Sequence, residues 1–241
     1  MFAHRTRKHG APAGWLFFMV CGKGMSGAGS LFGETHLVAR EEIAPGAFVL
    51  WRFALAMEAE LLRGLREVTT AAPFRNMVTP GGYRMSVAMT NCGALGWVTD
   101  RGGYRYDAVD PESGKQWPAM PAAFGGLAAS ATAEAGFGEF RPDACLINRY
   151  EPGTKLSLHQ DKDERDFTQP IVSVSLGIPA IFVFGGFARG EKTQRVPLKH
   201  GDVVVWGGPA RLRYHGLLTL KEDEHPLLGR MRVNLTFRKA G

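Results

Sequence analysis

The chain has 241 residues, 45% of them hydrophobic, which predicts one domain with peripheral additions and enough apolar surface to fill a core. No apolar run is long enough to span a membrane, and three widely spaced cysteines without a Cys-x-x-Cys pair argue against a disulfide framework or zinc ribbon and favour a reducing cytoplasm. A formal net charge of +6 and an isoelectric point near 9.4 favour contact with polyanions, although many soluble enzymes share that charge.

The first 40 residues differ in composition from the rest. A basic segment at 4–9 precedes a short apolar run at 15–20, an order that superficially resembles a signal peptide. No Ala-x-Ala cleavage site follows, so we favour a non-folded extension, or an over-long translation, over a targeting segment. We therefore expect a single domain over residues 41–241.

The apolar spacing predicts the first elements of that domain. Residues 46–53 are typical of a strand, and residues 54–70 have a helical spacing that Pro73 ends. A second helix is predicted within residues 118–136.

Apolar and polar side chains alternate over residues 83–90, after a Thr-Pro-Gly-Gly turn, and an apolar stripe of this kind is usually core. The apolar face consists of Tyr83, Met85, Val87 and Met89. The polar face, suited to phosphate contacts, includes Arg84, Ser86 and Thr90.

After Pro142 the pattern changes to short strands separated by Gly, Pro and charged turns. Many short strands without intervening helices favour an antiparallel barrel or jelly roll over a doubly wound sheet. The predicted strands cover residues 144–150, 171–176, 180–184, 195–198, 202–206 and 231–238.

A His-x-Asp pair, His159 and Asp161, follows a strand-like run and a Pro-Gly turn. In an extended segment, residues two apart project from the same face, so both side chains can reach one ion. His215 is a third candidate ligand. Two histidines and one carboxylate that leave open positions form the facial triad of non-haem Fe(II) oxygenases.

A second His-x-Asp pair, His200 and Asp202, has the same spacing. It lies between two strand-like runs, where a Gly-Asp step most simply makes a hairpin turn, and we favour that structural role. The first pair instead follows a row of polar side chains that enters an apolar sheet, and buried polar rows are costly unless they bind something. That row is Asn148, Tyr150, Lys155 and Ser157.

The last predicted strand alternates apolar residues with Arg232, Asn234, Thr236 and Arg238. Guanidinium groups bind carboxylates bidentately, so two same-face arginines suit a dicarboxylate. Residues six apart on a strand are about 20 Å apart, so twist, a bend or the long side chains must bring the groups together. Two exposed edge arginines remain the alternative, and Arg211 and Arg213 are expected to be solvated or phosphate-facing.

Long segments of the sequence resemble the bacterial AlkB family of Fe(II)/2-oxoglutarate-dependent nucleic-acid demethylases. The resemblance runs from about Gly46 to Gly241. The segments that carry it are residues 77–83, 85–93, 142–150, 155–164, 200–208 and 234–238. It implies a double-stranded β-helix (jelly roll) of mainly β structure with N-terminal helices, a nucleotide-recognition lid over 74–110 and a core over 142–241.

The resemblance also implies the cofactors and the residues that hold them. Fe(II) would be held by His159, Asp161 and His215, with O₂ and 2-oxoglutarate as co-substrates. Arg232 would bind the distal carboxylate of 2-oxoglutarate, and Arg238 would lie nearer its keto-acid end. Asn148, Tyr150 and Asn234 would assist.

The implied reaction is oxidative demethylation of 1-methyladenine and 3-methylcytosine, with release of formaldehyde, succinate and CO₂. The implied substrate is alkylated DNA, with single strands favoured, and RNA as a further candidate; the enzyme would repair alkylation damage in the cytoplasm as a monomer without an obligate protein partner. The base would stack between Trp97 and His159, with Asp163 accepting from its amino group and Met89 lining the pocket. Near the nucleotide or its backbone would lie Thr79, Tyr83, Tyr104, Lys162 and Arg189.

Residues 209–214 and Val233 depart from the family pattern, which affects lid packing or strand preference rather than metal binding. Two other functions remain open at this point. The same chemistry can act on a protein side chain or a metabolite, or the chain can be a non-catalytic jelly roll that binds nucleic acid or metal.

Overall fold

Within residues 39–241, the part of the chain that the structure describes, the computed structural model contains thirteen β-strands and two α-helices. The predictions for the basic segment and apolar run near the N-terminus lie outside these residues. The strands are β1 (Arg40–Ala44), β2 (Ala47–Leu50), β3 (Ala88–Gly93), β4 (Gly96–Asp100), β5 (Gly103–Asp107), β6 (Ala144–Tyr150), β7 (Leu156–His159), β8 (Ile171–Gly177), β9 (Ala180–Phe184), β10 (Gln194–Leu198), β11 (Val203–Trp206), β12 (His215–Leu217) and β13 (Arg232–Arg238). The helices are α1 (Glu58–Ala71) and α2 (Ala122–Glu134).

Two antiparallel sheets form the body of the fold. The larger has the order β1-β2-β11-β8-β13-β6-β3, and the smaller has the order β10-β9-β12-β7. Residues of β2 and β11 pack with residues of β9 and β10 in one buried cluster, so the sheets face each other as a sandwich. This arrangement confirms the predicted jelly roll.

Both helices cover the other face of the larger sheet. Leu61 of α1 and Phe124 of α2 belong to the same buried cluster as Val172, Val203 and Phe237 from three of its strands. Phe124 and Phe237 meet edge to face at 6.0 Å between ring centroids. The helices thus leave the space between the two sheets free for polar side chains.

Strand β13 lies in the middle of the larger sheet and divides its side chains as predicted. Val233, Leu235 and Phe237 pack in the cluster under the helices. Its four polar residues instead line a cavity between the sheets. Arg232 is 2% exposed and Arg238 is 6% exposed, so the alternative of two exposed edge arginines is wrong.

The first elements are shorter than predicted. Strand β2 ends at Leu50, since Arg52 adopts a left-handed backbone conformation with φ of 59°. A 3₁₀ turn at Phe53–Met57 then precedes α1, which ends before Pro73 as expected. The helix predicted within 118–136 is α2.

The alternation predicted over residues 83–90 holds only in part. Pairing of β3 begins at Ala88, and Tyr83 is 78% exposed, so the segment before it is an irregular surface loop. Thr90 is fully buried and its hydroxyl donates to the carbonyl of Ala72 at 2.7 Å, which corrects the expectation that it faces phosphate. The β4–β5 hairpin that follows was not predicted.

The second His-x-Asp pair forms the turn between β10 and β11, as the sequence predicts. Gly201 has φ of 87°, and the Asp202 carboxylate accepts hydrogen bonds from the backbone N–H groups of Arg52 (2.8 Å) and Lys199 (2.6 Å). His200 accepts from the N–H of Gly177 at 2.8 Å. Its role is therefore structural.

No helix within residues 39–241 combines the length and the apolar character that a membrane crossing requires.

Candidate active site

Two paired strands of the smaller sheet bring the two histidines together. His159 ends β7, His215 begins β12, and the two residues are direct cross-strand partners with ring centroids 4.4 Å apart. Asp161 follows β7 by two residues, and its carboxylate oxygens lie 3.6 Å from His159 Nε2 and 3.8 Å from His215 Nε2. One candidate ligand atom from each residue lies within 4.8 Å of the others, close enough to share one metal ion.

Hydrogen bonds orient both imidazoles. The Nδ1 atoms lie 2.9 Å from the carbonyl oxygen of Ser157 and 3.1 Å from that of Arg213. A carbonyl only accepts, so each Nδ1 carries the proton and each Nε2 presents its lone pair to the cluster. Burial, with a smaller effect of the neighbouring His159, lowers the pKa of His215 to about 3, so this ring is a neutral ligand near pH 7.

Asp161 is buried and ionised. Burial alone raises the pKa of its carboxyl, but the charge of Arg238 and the two imidazoles outweigh this effect and hold it well below the ordinary value. Both Nε and Nη2 of Arg238 donate to Asp161 Oδ2, at 2.9 and 2.7 Å. Asp161 Oδ1, which Arg238 does not bind, faces His159, whereas Oδ2 lies between Arg238 and His215.

A second buried carboxylate, Glu164, lies behind this cluster. It accepts from Arg211 Nη2 at 3.0 Å and from the Tyr106 hydroxyl at 2.7 Å, and lies 3.3 Å from Arg238 Nε. Arg211 is 3% exposed and also donates to the Asp161 carbonyl at 2.8 Å, so the expectation that it is solvated or phosphate-facing is wrong. Buried charges require such partners, and Arg211 supplies them.

A cavity of about 540 Å³ extends from the candidate ligands between the two sheets. Its wall includes Asn148 and Tyr150 from β6 and the polar face of β13. Arg238 at one end of β13 is bound to Asp161, whereas Arg232 at the other end donates to the hydroxyl of Ser175 at 2.8 Å. The two guanidinium groups therefore serve different ends of the cavity rather than one carboxylate.

The surroundings of Arg232 show whether the cavity can hold the carboxylate of 2-oxoglutarate. Its Nε has no hydrogen-bond partner, and none of the carboxylates within residues 39–241 lies within 4.0 Å of its guanidinium. The buried Oδ1 of Asn148 also has no partner. Burial lowers the pKa of Arg232 and raises that of Tyr150 to about 12, so the wall presents a cation and a phenol. A buried cation with unused donors suits an anionic group, which the distal carboxylate of 2-oxoglutarate provides.

The mouth of the cavity carries the residues expected to contact the base. The indole Nε1 of Trp97 donates to Asp163 Oδ2 at 2.8 Å, and the Trp97 ring stacks on Tyr104 at 5.7 Å between centroids. Met89, Lys162 and Arg189 line the same cavity. These residues thus come together with His159 around one opening.

Thr79 and Tyr83 do not reach the cavity wall. They form an exposed turn in which the backbone N–H of Tyr83 donates to the Thr79 hydroxyl at 3.2 Å. Arg189 donates to the carbonyl of Leu158 at 2.6 Å and lies over the ring of Tyr214. Of these three residues, only Arg189 lines the cavity.

Sequence reasoning missed three polar residues that support the site: Tyr106, Glu164 and Ser175. Glu164 lies in a run of charged residues that is typical of a solvated loop. Its burial follows from contacts with Arg211 and Arg238, which are distant in the chain. The one local signal is its spacing of three residues from Asp161.

Comparisons with known proteins agree with this geometry. The family model described as the 2OG-Fe(II) oxygenase superfamily matches residues 47–238. The chain is 59% identical over 202 residues to the alpha-ketoglutarate-dependent dioxygenase AlkB of Escherichia coli, covering 84% of this chain and 94% of that protein. It is 33% identical over 161 residues to the DNA N(6)-methyladenine demethylase ALKBH1C of Arabidopsis thaliana, covering 56% and 35% of the two chains. The solved structure of OsALKBH1 is similar, with a TM-score of 0.74, 28% identity and coverage of 83% and 99%.

Proposed function

Because the chain belongs to the AlkB family of the 2OG-Fe(II) oxygenase superfamily, and is a dioxygenase that uses Fe(II), 2-oxoglutarate and O₂, we propose that it demethylates N-alkylated bases in DNA. One observation carries the proposal: a His-Asp-His cluster, with Asp161 and His215 buried, shares a cavity with a partly unpaired buried arginine and an aromatic, acidic mouth. These features match a metal, an anionic co-substrate and a cationic base.

His159, Asp161 and His215 would hold Fe(II) through two Nε2 atoms and one carboxylate oxygen. When bound, iron and 2-oxoglutarate react with O₂ to hydroxylate the N-methyl carbon of the base and to yield succinate and CO₂. Arg232 would bind the distal carboxylate, with Asn148, Tyr150 and Asn234 beside it. Arg238 keeps Asp161 ionised and fixed, so that the ligand geometry exists before the metal binds.

The mouth would select the damaged base. A methyl group on the pairing edge of adenine or cytosine makes the base cationic near neutral pH and weakens its pair, which lowers the cost of extruding it. Stacking on Trp97 contributes on the order of 1–3 kcal/mol, and a cation over an indole face adds attraction. Asp163, held by the Trp97 indole at 2.8 Å, can accept from the exocyclic amino group. The hydroxymethyl product then loses formaldehyde and restores the base.

The preferred substrate is single-stranded DNA, because an unpaired base needs no strand separation, and RNA remains a further candidate. Trp97 and Tyr104 supply stacking surfaces that every base accepts, and the net charge of +6 favours a phosphate backbone. We also propose that the enzyme is a monomer in the cytoplasm, where thiols such as those of Cys92 and Cys145 stay reduced.

The test is reconstitution with Fe(II) and 2-oxoglutarate under anaerobic conditions, followed by O₂ and a single-stranded oligonucleotide that carries 1-methyladenine. We expect formaldehyde and repaired base from the wild type and from His225→Ala, whose histidine lies outside the cavity, but none from His159→Ala. A methylated peptide should yield no formaldehyde. Formaldehyde from the peptide alone, or undiminished formaldehyde from His159→Ala, would overturn the proposal.

A further inference from the structure

The β4–β5 hairpin is joined to the segment after Asp161 by two adjacent side-chain hydrogen bonds. Trp97 and Tyr106 are direct cross-strand partners on the hairpin, so their side chains leave the same face. Trp97 Nε1 donates to Asp163 at 2.8 Å, and the Tyr106 hydroxyl donates to Glu164 at 2.7 Å. Trp97 and Tyr106, which are neighbours across the hairpin, therefore hold Asp163 and Glu164, which are neighbours in the chain.

The two hydrogen bonds differ in what lies behind them. Asp163 is exposed at the mouth of the cavity. Glu164 is buried, and its Oε1, which accepts from Tyr106, also lies 3.3 Å from Arg238 Nε. Arg238 in turn donates to Asp161 Oδ2 at 2.7 Å. Three consecutive polar contacts thus connect the hairpin to the carboxylate of the metal cluster.

In this series of contacts, the Tyr106 hydroxyl can act only as a hydrogen-bond donor. Burial, opposed by the charge of Arg238, raises the pKa of the phenol well above its ordinary value, so the proton stays on oxygen. A neutral hydroxyl that donates to a buried carboxylate forms a short, charge-assisted hydrogen bond. Arg211 holds the other oxygen of Glu164 at 3.0 Å, which keeps the carboxylate in place when the hairpin moves.

We propose that Tyr106 is a positioning residue that couples the hairpin, and with it the base held by Trp97, to the geometry of Asp161. The inference rests on the proposed demethylase function, because that reaction requires a fixed distance between the base and the metal. The Tyr106 hydroxyl is linked to Asp161 only through Glu164 and Arg238. It fixes the distance between the base and the metal, because the other side-chain hydrogen bond from the hairpin to this segment, Trp97 to Asp163, ends on an exposed carboxylate, whereas Glu164 contacts Arg238.

If Tyr106 couples the hairpin to Asp161, ligands that bind at the metal cluster also change how often the hairpin opens. A residue that only stabilises the hairpin would not have this effect. A metal and co-substrate that fix Asp161 also fix Arg238 and Glu164, so they slow opening of the hairpin. Without the Tyr106 hydroxyl this effect disappears, while the metal cluster, still held by Arg238 and Arg211, remains intact. The base then binds but is poorly placed for reaction, so turnover falls more than affinity does.

The variant is Tyr106→Phe, which removes one oxygen atom. Its matched control is Thr99→Val, which removes another buried hydroxyl of the same hairpin, one that donates to the carbonyl of Val78 at 3.3 Å and does not reach the cluster. Hydrogen exchange of the amides in Gly96–Asp107 is measured by mass spectrometry for each protein, with and without Mn(II) and 2-oxoglutarate under nitrogen. Demethylation of the 1-methyladenine oligonucleotide and its Kd are measured in parallel.

In the wild type and in Thr99→Val we expect loading to slow hairpin exchange about tenfold to a hundredfold, the range that one hydrogen bond to a charged acceptor supplies. In Tyr106→Phe we expect no slowing, a fall of about tenfold or more in kcat, and an oligonucleotide Kd within about threefold of wild type. Preserved slowing in Tyr106→Phe, or its absence from the wild type, overturns the inference. Faster exchange throughout Tyr106→Phe, β13 included, also overturns it, since the role is then structural.

The exchange experiment needs no demethylation, which separates the two proposals. A wild type that shows the loading effect but makes no formaldehyde refutes the proposed function and leaves the coupling between hairpin and cluster supported. A wild type that makes formaldehyde, with Tyr106→Phe equal to it in kcat and in exchange, refutes only the coupling.

Discussion

Replacement of Arg232 by methionine should have opposite effects on stability and on co-substrate binding. The guanidinium is 2% exposed, it makes one side-chain hydrogen bond, to Ser175, and its Nε has none. A buried charge of this kind is costly to desolvate, and apolar replacements of similar volume are neutral or stabilising by about 1–4 kcal/mol. We therefore expect Arg232→Met without ligands to unfold at the same urea concentration as the wild type or at a higher one.

The loss in binding follows from the same geometry. Two charge-assisted hydrogen bonds to the distal carboxylate, at about 1.5–3 kcal/mol each, amount to about 3–6 kcal/mol. Since every 1.4 kcal/mol is about tenfold, the Kd of 2-oxoglutarate should rise by roughly a hundredfold to ten-thousandfold. Calorimetric titration in the presence of Mn(II) measures this change.

The matched control is Arg230→Met, because Arg230 is an exposed arginine two residues earlier that pairs only with the exposed Glu222. It should leave both the urea midpoint and the affinity unchanged. The reasoning is refuted if Arg232→Met lowers the unfolding free energy of the ligand-free protein by about 3 kcal/mol or more, the cost expected for breaking a compensated buried ion pair. Unchanged affinity for 2-oxoglutarate would refute it equally.

Three further predictions concern stability, each measured by urea or thermal unfolding. Glu164→Gln should cost about 3–5 kcal/mol, because it leaves the buried guanidinium of Arg211 without a carboxylate and removes one of the two carboxylates beside Arg238; a loss below about 1 kcal/mol would contradict the buried network. Gly177→Ala should lower the free energy of unfolding by about 2 kcal/mol or more, because Gly177 has a φ of +90° and the new methyl group would clash with the carbonyl of Met231. Its control, Gly126→Ala on the open face of α2, should instead stabilise the fold by about 0.5–1 kcal/mol. Burial raises the pKa of Asp110, but the hydrogen bonds from Arg75, Ser113 and the Glu112 N–H together outweigh burial and lower the pKa. This carboxylate should therefore stabilise the fold above about pH 4 and lose that effect as the pH falls. Asp110→Asn should flatten the stability profile there, and an unaltered profile would contradict this.

The features that sequence reasoning predicted depend on short-range periodicity. In β13 the alternation of apolar and polar residues is strict over seven residues, so its two faces follow from the pattern alone. Strand β6 was predicted with its observed bounds from a short, mostly apolar run after Pro142. His159 and Asp161 are two residues apart in an extended segment, so their convergence needs no knowledge of the fold.

The features that it missed depend on contacts between distant residues. Arg211 has the sequence context of a surface loop, but its three partners, Asp161, Glu164 and Gln169, come from another segment of the chain. Strand β12 has three residues, too few for any period to be recognised. Thr90 is buried because the chain after α1 crosses over it, a tertiary contact that alternation cannot reveal.

The position of β7 gives the metal a further importance. This strand is the last in the smaller sheet and pairs with a single neighbour, β12, through a ladder that contains the two histidines. An ion bound by both imidazoles would therefore hold in place an outermost strand that, within residues 39–241, has no strand partner on its far side. Without iron, β7 should be the first strand of this sheet to detach from its neighbour. The exposed strand edge can then pair with strands of other molecules, which leads to aggregation. Loss of iron would then lower the solubility of the enzyme as well as its activity.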